Sequence, residues 1–209
     1  MKIRTEKPEK GNKNYITVEN GGWNTCIKGS PEDKDCDVLS NCVGYSAGRY
    51  HEIINEARGT EGFAYKALNC NAEEFLRRAY DLGLDIGTFP KRGAIMCWSK
   101  GKIQNSTDGS GHVAVVEMIN KDGTLLTSES GYNNDPFWTQ TRNNKEGNWN
   151  MGKEYDFLGF IYLPRDVQEV VDGKIRKAEE SLKDKIERLW KSFIEKIKRF
   201  INKLGVRLW

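Results

Sequence analysis

Five cysteines and two histidines are the side chains of this 209-residue chain that suit nucleophilic or metal chemistry. No two cysteines have the CxxC spacing of a zinc knuckle, and few histidines are present to complete a zinc site, which argues against one. An odd number of cysteines also argues against a disulfide framework. The remaining roles for these cysteines are those of a small buried hydrophobic residue and of a nucleophile. Cys70 and Cys97 fit the first role, since Cys97 lies in the short apolar strand candidate GAIMCW.

Cys42 has a different setting from the other cysteines. The segment NCVGYSAGRYHEIINEAR, residues 41–58, places apolar residues at helical spacing and is followed by Gly59, a stop signal. Ser40 or Asn41 is a suitable N-cap, so Cys42 is predicted in the first turn of a helix. Free backbone amides and the helix dipole at that end favour a thiolate. The position suits a nucleophilic cysteine, although a packed cysteine at a helix start fits the same pattern.

A β-hairpin is predicted downstream, where HVAVVEMI and TLLTSES flank the turn sequence NKDG. A turn of two or of four residues places His112 on the same face of the sheet as Glu129, Gly131 and Asn133. A register slip of one residue would replace these neighbours with Ser128, Ser130 and Tyr132.

A cysteine nucleophile needs a base, and the base needs a third group to orient it. His112 is the predicted base because it follows the glycine-rich DGSG and faces a possible carboxylate partner, Glu129. A hydrogen-bonded histidine at a strand start is the other interpretation of His112. His51 lies in mid-helix beside charged residues and is predicted at the surface.

Together these segments resemble the CHAP domain, a papain-like family. The resemblance rests on NCVGYSAGRY, GAIMCW, GHVAVVE and SESGYN, and it covers about residues 20–163. It implies an α+β fold in which N-terminal helices, one bearing the cysteine, pack on an antiparallel sheet bearing the histidine. It also implies cleavage of amide bonds in peptidoglycan, as by phage endolysins, phage tail lysins and bacterial wall hydrolases.

The resemblance assigns Cys42 as nucleophile, His112 as general base and Glu129 as the acidic partner. Many members carry an asparagine two positions beyond the acid, where this chain has Gly131, so either Asn133 serves or Glu129 acts alone. The oxyanion donors expected are the amide of Cys42 and the side chain of Asn41.

Two further sets of residues are assigned on weaker signals. Some CHAP domains bind calcium before the cysteine, and PEDKDCD offers Asp33, Asp35 and Asp37, which lack the full spacing of a calcium loop. A solvated charge run is the preferred interpretation, so no cofactor is expected. An aromatic, asparagine-rich loop after the hairpin suits sugar or peptide binding or forms a small loop core. The substrate-binding candidates are Tyr132, Trp138, Trp149 and Trp98.

The C-terminal region differs from the rest in charge and period. Residues 166–209 contain 12 Lys or Arg and 8 Asp or Glu, and apolar residues recur there at helical steps from Leu182 to Leu204. We predict a catalytic domain over 1–164 and a basic amphipathic helix over 165–209. The helix could dock on the catalytic domain, associate with itself, or bind an anionic membrane or wall polymer through 174–209. No basic-aromatic groove motif supports nucleic-acid binding.

The N-terminal sequence shows no apolar core of a secretory signal, and no apolar run approaches the length of a membrane span. The expected course is synthesis in the host cytoplasm, with action on the wall after release or as part of a virion. The function predicted is a phage-type peptidoglycan amidase or endopeptidase. Two alternatives are a membrane-active or virion structural protein whose papain-like domain only binds wall, and a papain-like enzyme with another acyl substrate.

Overall fold

The computed structural model describes residues 1–9, 12–15, 42–61, 68, 70–100, 111–131 and 137–203. A 3-10 turn, Ala72–Glu74, precedes the second of three helices. The helices are α1 (Cys42–Arg58), α2 (Phe75–Asp81) and α3 (Arg165–Lys203). The strands are β1 (Ile86–Gly87), β2 (Ile95–Lys100), β3 (His112–Ile119), β4 (Leu125–Glu129), β5 (Trp138–Arg142) and β6 (Tyr155–Ile161).

The six strands form one sheet in the order β1-β6-β2-β3-β4-β5, and every neighbouring pair is antiparallel. The predicted α+β class, with helices and an antiparallel sheet, is confirmed. The central strands are rich in β-branched and other apolar residues and are almost fully buried, as expected for strands covered on both faces.

Alternate residues of the central strands build a compact apolar cluster on one face of the sheet. Its fully buried members include Met96 and Trp98 from β2, Ala114 and Val116 from β3, and Phe160 from β6. Helix α1 contacts β3 and β4 and buries most of its own length, including Tyr45, Tyr50, Ile53 and Ile54. This burial fixes the position of α1, and so of its first residue, relative to the sheet.

The hairpin between β3 and β4 has the predicted register next to His112, but its turn differs from the predicted one. Asn120 donates its amide to Thr124 at 2.8 Å, which closes a three-residue loop and pairs Ile119 with Leu125. A β-bulge between Val116 and Met118 then shifts the register by one residue. The predicted turn of two or four residues is therefore wrong, and the bulge restores the predicted sharing of one face by His112 and Glu129.

Helix α2 begins later than its sequence pattern indicates. The segment NAEEFLRRAYDLG, residues 71–83, predicts a helix that is capped by Asn71 and Glu74, turns Leu82 inward and ends at Gly83. Asn71 makes no side-chain cap hydrogen bond, however, and a 3-10 turn precedes the helix. The helix ends as predicted before Gly83, which has a φ of 72° that favours glycine. Leu82, predicted to face inward, is exposed.

The chain divides into two compact units, residues 1–169 and residues 170–209. The predicted domain boundary at residue 164 stays a prediction. Within the second unit, Leu182, Ile186, Leu189, Trp190, Phe193 and Phe200 are all exposed. Among the described residues, none of the helices combines the length and apolar character that crossing a membrane requires.

Candidate active site

Cys42 is the first residue of α1 and is half-buried. The helix starts at this point, so the amides of its first turn have no partner within the helix and carry the positive end of the helix dipole. The predicted location of Cys42 at a helix start is confirmed. The suggested caps, Ser40 and Asn41, lie outside the described residues.

His112 is the first residue of β3, and its two ring nitrogens serve different partners. The Nε2 atom donates a hydrogen bond to Oε2 of Glu129 at 2.8 Å. This leaves Nδ1 as the ring nitrogen for Cys42, whose side chain interacts with the imidazole and raises its pKa. The structure thus brings the three predicted residues together as a line of sulfur, imidazole and carboxylate.

The charged forms of His112 and Glu129 stabilise each other. Burial alone would lower the pKa of His112, but hydrogen bonds with Cys42 and Glu129, and the charges of both, raise it to about 9. Burial would raise the pKa of Glu129, yet hydrogen bonds from His112 and Arg142, together with their charges, hold it far below its usual range. At neutral pH the imidazole is therefore protonated and the carboxylate ionised.

Glu129 is held by residues that were not predicted. Arg142 donates from Nε to Oε1 at 2.8 Å and from Nη2 to Oε2 at 2.7 Å, a bidentate pair. Gln140 donates to Oε1 at 2.9 Å, and the hydroxyl of Thr127 donates to the same oxygen. With His112, four side chains satisfy a carboxylate that is fully buried.

The sheet register explains why these side chains meet. Strand β4 pairs Glu129 with Trp138, and Thr127 with Gln140, on β5. Side chains alternate between the faces of a strand, so every second residue of β3, β4 and β5 points to one side. Those residues include His112 and Glu129, and with them come Thr127, Gln140 and Arg142.

Two indole rings lie near the His112 ring. Trp138 stacks on it with a centroid separation of 6.1 Å and an interplanar angle of 14°, and Trp98 lies 5.9 Å away. Trp98 is fully buried and Trp149 is 5% exposed, which does not fit their predicted role in substrate binding. Trp138 is half-buried, so it alone of these three has a partly accessible ring.

Gly111 is required by the packing beside the base. A Cβ atom at this position would lie 2.5 Å from the carbonyl oxygen of Trp98 and 2.6 Å from the amide nitrogen of Glu73. Both are backbone atoms, which cannot move aside as a flexible side chain would. Glycine lets β3 begin at this point, and His112 follows it directly.

Other predicted residues take different places. His51 was predicted at the surface, but it is fully buried, and burial lowers its pKa to about 4. The sequence misled here because α1 is covered on nearly all sides, so flanking charged residues do not mark an exposed face. Burial raises the pKa of Cys70 to about 12 and that of Cys97 well above its usual value, which fits inert thiols.

Several predicted site residues lie outside the described residues, and their roles stay predictions. They are Asn41, Asn133, Tyr132, Asp33, Asp35 and Asp37. Within the described part of the chain, no group of three or more His, Cys, Asp or Glu side chains is arranged to hold a metal ion. The predicted calcium loop is not tested by this finding, since it falls in the part not described.

Sequence reasoning missed Arg142, Gln140 and Thr127. The signal for them was present in the alternation of WTQTR, residues 138–142, which places Trp138, Gln140 and Arg142 on one face. Their partner could not be found without the pairing of β4 with β5, because the loop between these strands does not fix a register.

Two proteins of Staphylococcus aureus are similar to parts of this chain. A protein of Staphylococcus aureus named "Probable autolysin SsaALP" is 29% identical over 93 residues, which are 44% of this chain and 32% of that protein. A solved structure titled N-acetylmuramoyl-L-alanine amidase, also from Staphylococcus aureus, is 26% identical with a TM-score of 0.38, over 51% of this chain and 28% of the other. This chain thus spans about a third of each.

The family model of the CHAP domain matches residues 32–131. The matched segment contains Cys42, His112 and Glu129, the three side chains that the fold aligns. Arg142 and Gln140, which hold the carboxylate, lie beyond the match. Over residues 32–131 this chain is therefore similar to the CHAP domain family.

Proposed function

We propose that the protein is a cysteine hydrolase that cleaves amide bonds in peptidoglycan. The observation that carries the proposal is the line from Cys42 through His112 to Glu129, with a protonated imidazole between the sulfur and an ionised carboxylate. The CHAP match and the relative named an autolysin support peptidoglycan as the substrate class. The bond is either the one between muramic acid and L-alanine or one within the peptide, and the source is a bacteriophage.

In the proposed mechanism, the imidazolium of His112 stabilises a thiolate on Cys42. The sulfur attacks the carbonyl carbon of the amide, and the amide of Cys42 at the helix start stabilises the oxyanion. His112 gives its proton to the departing amine, which leaves a thioester on Cys42. Water then attacks the thioester while His112 accepts its proton, releasing the acid and restoring the thiolate and the imidazolium.

Glu129 orients the imidazole throughout this cycle and stabilises its charged form. Because Nε2 stays bound to the carboxylate, Nδ1 is the atom that exchanges protons with sulfur, leaving group and water. The stacked ring of Trp138 limits rotation of the imidazole and shields one of its faces from solvent.

The test is digestion of purified, lipid-free cell wall by the full chain. New amino groups should appear without new reducing sugar ends, and mass spectrometry of the products should identify the bond cut. We expect Cys42→Ala to lose at least about a thousandfold in rate, since nucleophile and base act as a unit.

The matched control is Cys70→Ala, which removes a thiol whose raised pKa makes it a poor nucleophile. It should keep the wild-type rate. Equal clearing of wall by Cys42→Ala would refute the cysteine mechanism. Cleavage of protein or another acyl substrate with no action on wall would refute the assignment of peptidoglycan.

A further inference from the structure

The second unit of the chain carries an apolar face that is exposed from Leu182 to Phe200. Trp190 and Phe193 are 61% and 52% exposed, and their rings lie 5.7 Å apart between centroids. Leu182, Ile186, Leu189 and Phe200 are exposed to a similar extent. Contiguous apolar surface of this kind on a folded chain marks an interaction site.

The spacing of these residues fits a flat partner better than a second helix. From Leu182 to Phe200, six apolar residues follow one another in five steps over 18 residues, a mean of 3.6 per step. That mean equals the repeat of a straight α-helix, so the apolar stripe runs parallel to the axis. A two-stranded coiled coil alternates steps of three and four residues, and the two consecutive steps of four from Leu189 to Phe193 and on to Ile197 interrupt that alternation.

The width of the apolar face also favours a flat partner over a second helix. At 100° per residue, the apolar side chains cover an arc of about 140°, bounded by Leu189 and Ile194, which is broader than a coiled-coil seam. Lys185 and Lys196 lie along one border of this arc. Lysines at such a border can bury their methylene chains while their ammonium groups remain among polar headgroups.

The net charge of residues 182–201 indicates an anionic partner. Residues 182–201 contain seven Lys or Arg and three Asp or Glu, a net +4. Two copies of this segment packed side by side would repel each other, whereas an anionic surface would attract it. Exposed Trp and Phe in the apolar arc suit the interface between headgroups and acyl chains.

We propose that residues 182–201 bind the surface of an anionic lipid bilayer, with the helix lying in the plane of the headgroups. The apolar arc enters the bilayer to the depth of its side chains, and the cationic face remains with the headgroups and water. The helix lies on the membrane rather than crossing it, because its polar face carries charges along its full length. This property is independent of the proposed hydrolase activity.

The test is flotation of the full chain with large unilamellar vesicles. One set contains equal parts of phosphatidylglycerol and phosphatidylethanolamine, and the other contains only phosphatidylcholine. Two double variants carry the same change in charge: Leu189→Glu/Phe193→Glu on the apolar arc and Ser181→Glu/Ser192→Glu on the polar face. Circular dichroism and thermal melting establish that each variant keeps its helix and its fold.

We expect the wild-type chain to float with the anionic vesicles, to bind phosphatidylcholine at least about tenfold more weakly, and to dissociate as salt is raised. The apolar-arc variant should lose at least about a hundredfold in partitioning, and the polar-face variant less than about fivefold.

Three outcomes would overturn the proposal. The first is no flotation with anionic vesicles, and the second is an equal loss in both variants. The third is a different partner for the same face: a dimer in lipid-free solution, or retention on lipid-free wall, that only the apolar-arc variant abolishes.

Discussion

Two glutamates of the β3–β4 hairpin have nearly the same surroundings and different consequences. Glu117 and Glu129 are both fully buried. Each receives a bidentate pair of hydrogen bonds from Nε and Nη2 of one arginine, Arg49 or Arg142, at 2.7–2.8 Å. Each also accepts a bond from a hydroxyl of β4, that of Ser128 or of Thr127.

The difference lies in the remaining partners, which are one for Glu117 and two, Gln140 and His112, for Glu129. Glu117 accepts the backbone amide of Arg4 at 3.1 Å, a group whose charge does not change with pH. Glu129 accepts Nε2 of His112, whose pKa it helps to raise. A buried carboxylate that binds only arginine and uncharged groups has a structural role. Glu129 is in addition part of the proposed site, because it also binds an imidazole.

The sharpest test of this comparison is the removal of each carboxylate charge. We expect Glu129→Gln to lower kcat/KM by about 10² to 10⁴, because the imidazolium loses its orienting and stabilising partner. Glu117→Gln, the matched variant, should keep the rate of the wild type per folded molecule. Wall digestion would be measured at a temperature where near-ultraviolet circular dichroism shows both variants to be folded.

Comparable losses of activity in the two variants would mean that the glutamates act alike, and the distinction would fail. Retained activity in Glu129→Gln would remove this residue from the proposed site.

Substitution of Arg49 or Arg142 tests mainly how much each arginine contributes to the stability of the fold. Arg49→Met leaves Glu117 buried without its cation and should lower the free energy of unfolding by about 3–5 kcal/mol. Arg142→Met should cost a similar amount, since its partner is equally buried, and should in addition slow the reaction. Urea denaturation gives the free energies. A change of less than about 1 kcal/mol for Arg49→Met would show that the pair contributes little beyond its desolvation cost.

The pH dependence of stability and activity also distinguishes Glu129 from Glu117. The pKa of His112 in the folded protein, about 9, lies above its ordinary value of 6.5, so its proton stabilises the fold fully below pH 6.5 and this contribution is lost as the pH rises through 9. Activity should fall over the same alkaline range. In Glu129→Gln this limb should move down by about 1 to 3 pH units, because the nearby negative charge is gone.

The control for the pH profile is Glu117→Gln, whose alkaline limb should coincide with that of the wild type. An unchanged limb in Glu129→Gln would assign the titration to a group other than His112.

The smallest expected effects come from the two hydroxyls, which belong to adjacent residues. Thr127→Val removes one hydrogen bond to Glu129, and Ser128→Ala removes one to Glu117. A bond to a charged group contributes about 1.5–3 kcal/mol, so both variants should lose stability in that range. Only Thr127→Val should also slow wall digestion, by about tenfold. Slower digestion by Ser128→Ala would show that the two faces of β4 are coupled.

The hairpin shows how far sequence reasoning reached. Alternation along HVAVVEMI and TLLTSES predicted that His112 and Glu129 share a face, and their 2.8 Å contact confirms it. The predicted turn of two or four residues is wrong, because the loop has three residues and a bulge at Glu117 restores the register. Apolar alternation is a local property that a sequence displays, whereas a bulge depends on how two strands settle against each other.

Local patterns fixed the helix that begins at Cys42, the strand that begins at His112 and the apolar face of the C-terminal helix, because period and end signals act over a few residues. Tertiary structure alone decided that Arg142 holds Glu129, that Arg49 holds Glu117, and that His51 and Trp98 are buried. Those outcomes depend on which strands become neighbours and on which surfaces are covered. Such pairings join residues far apart in the chain, and no local pattern contains them.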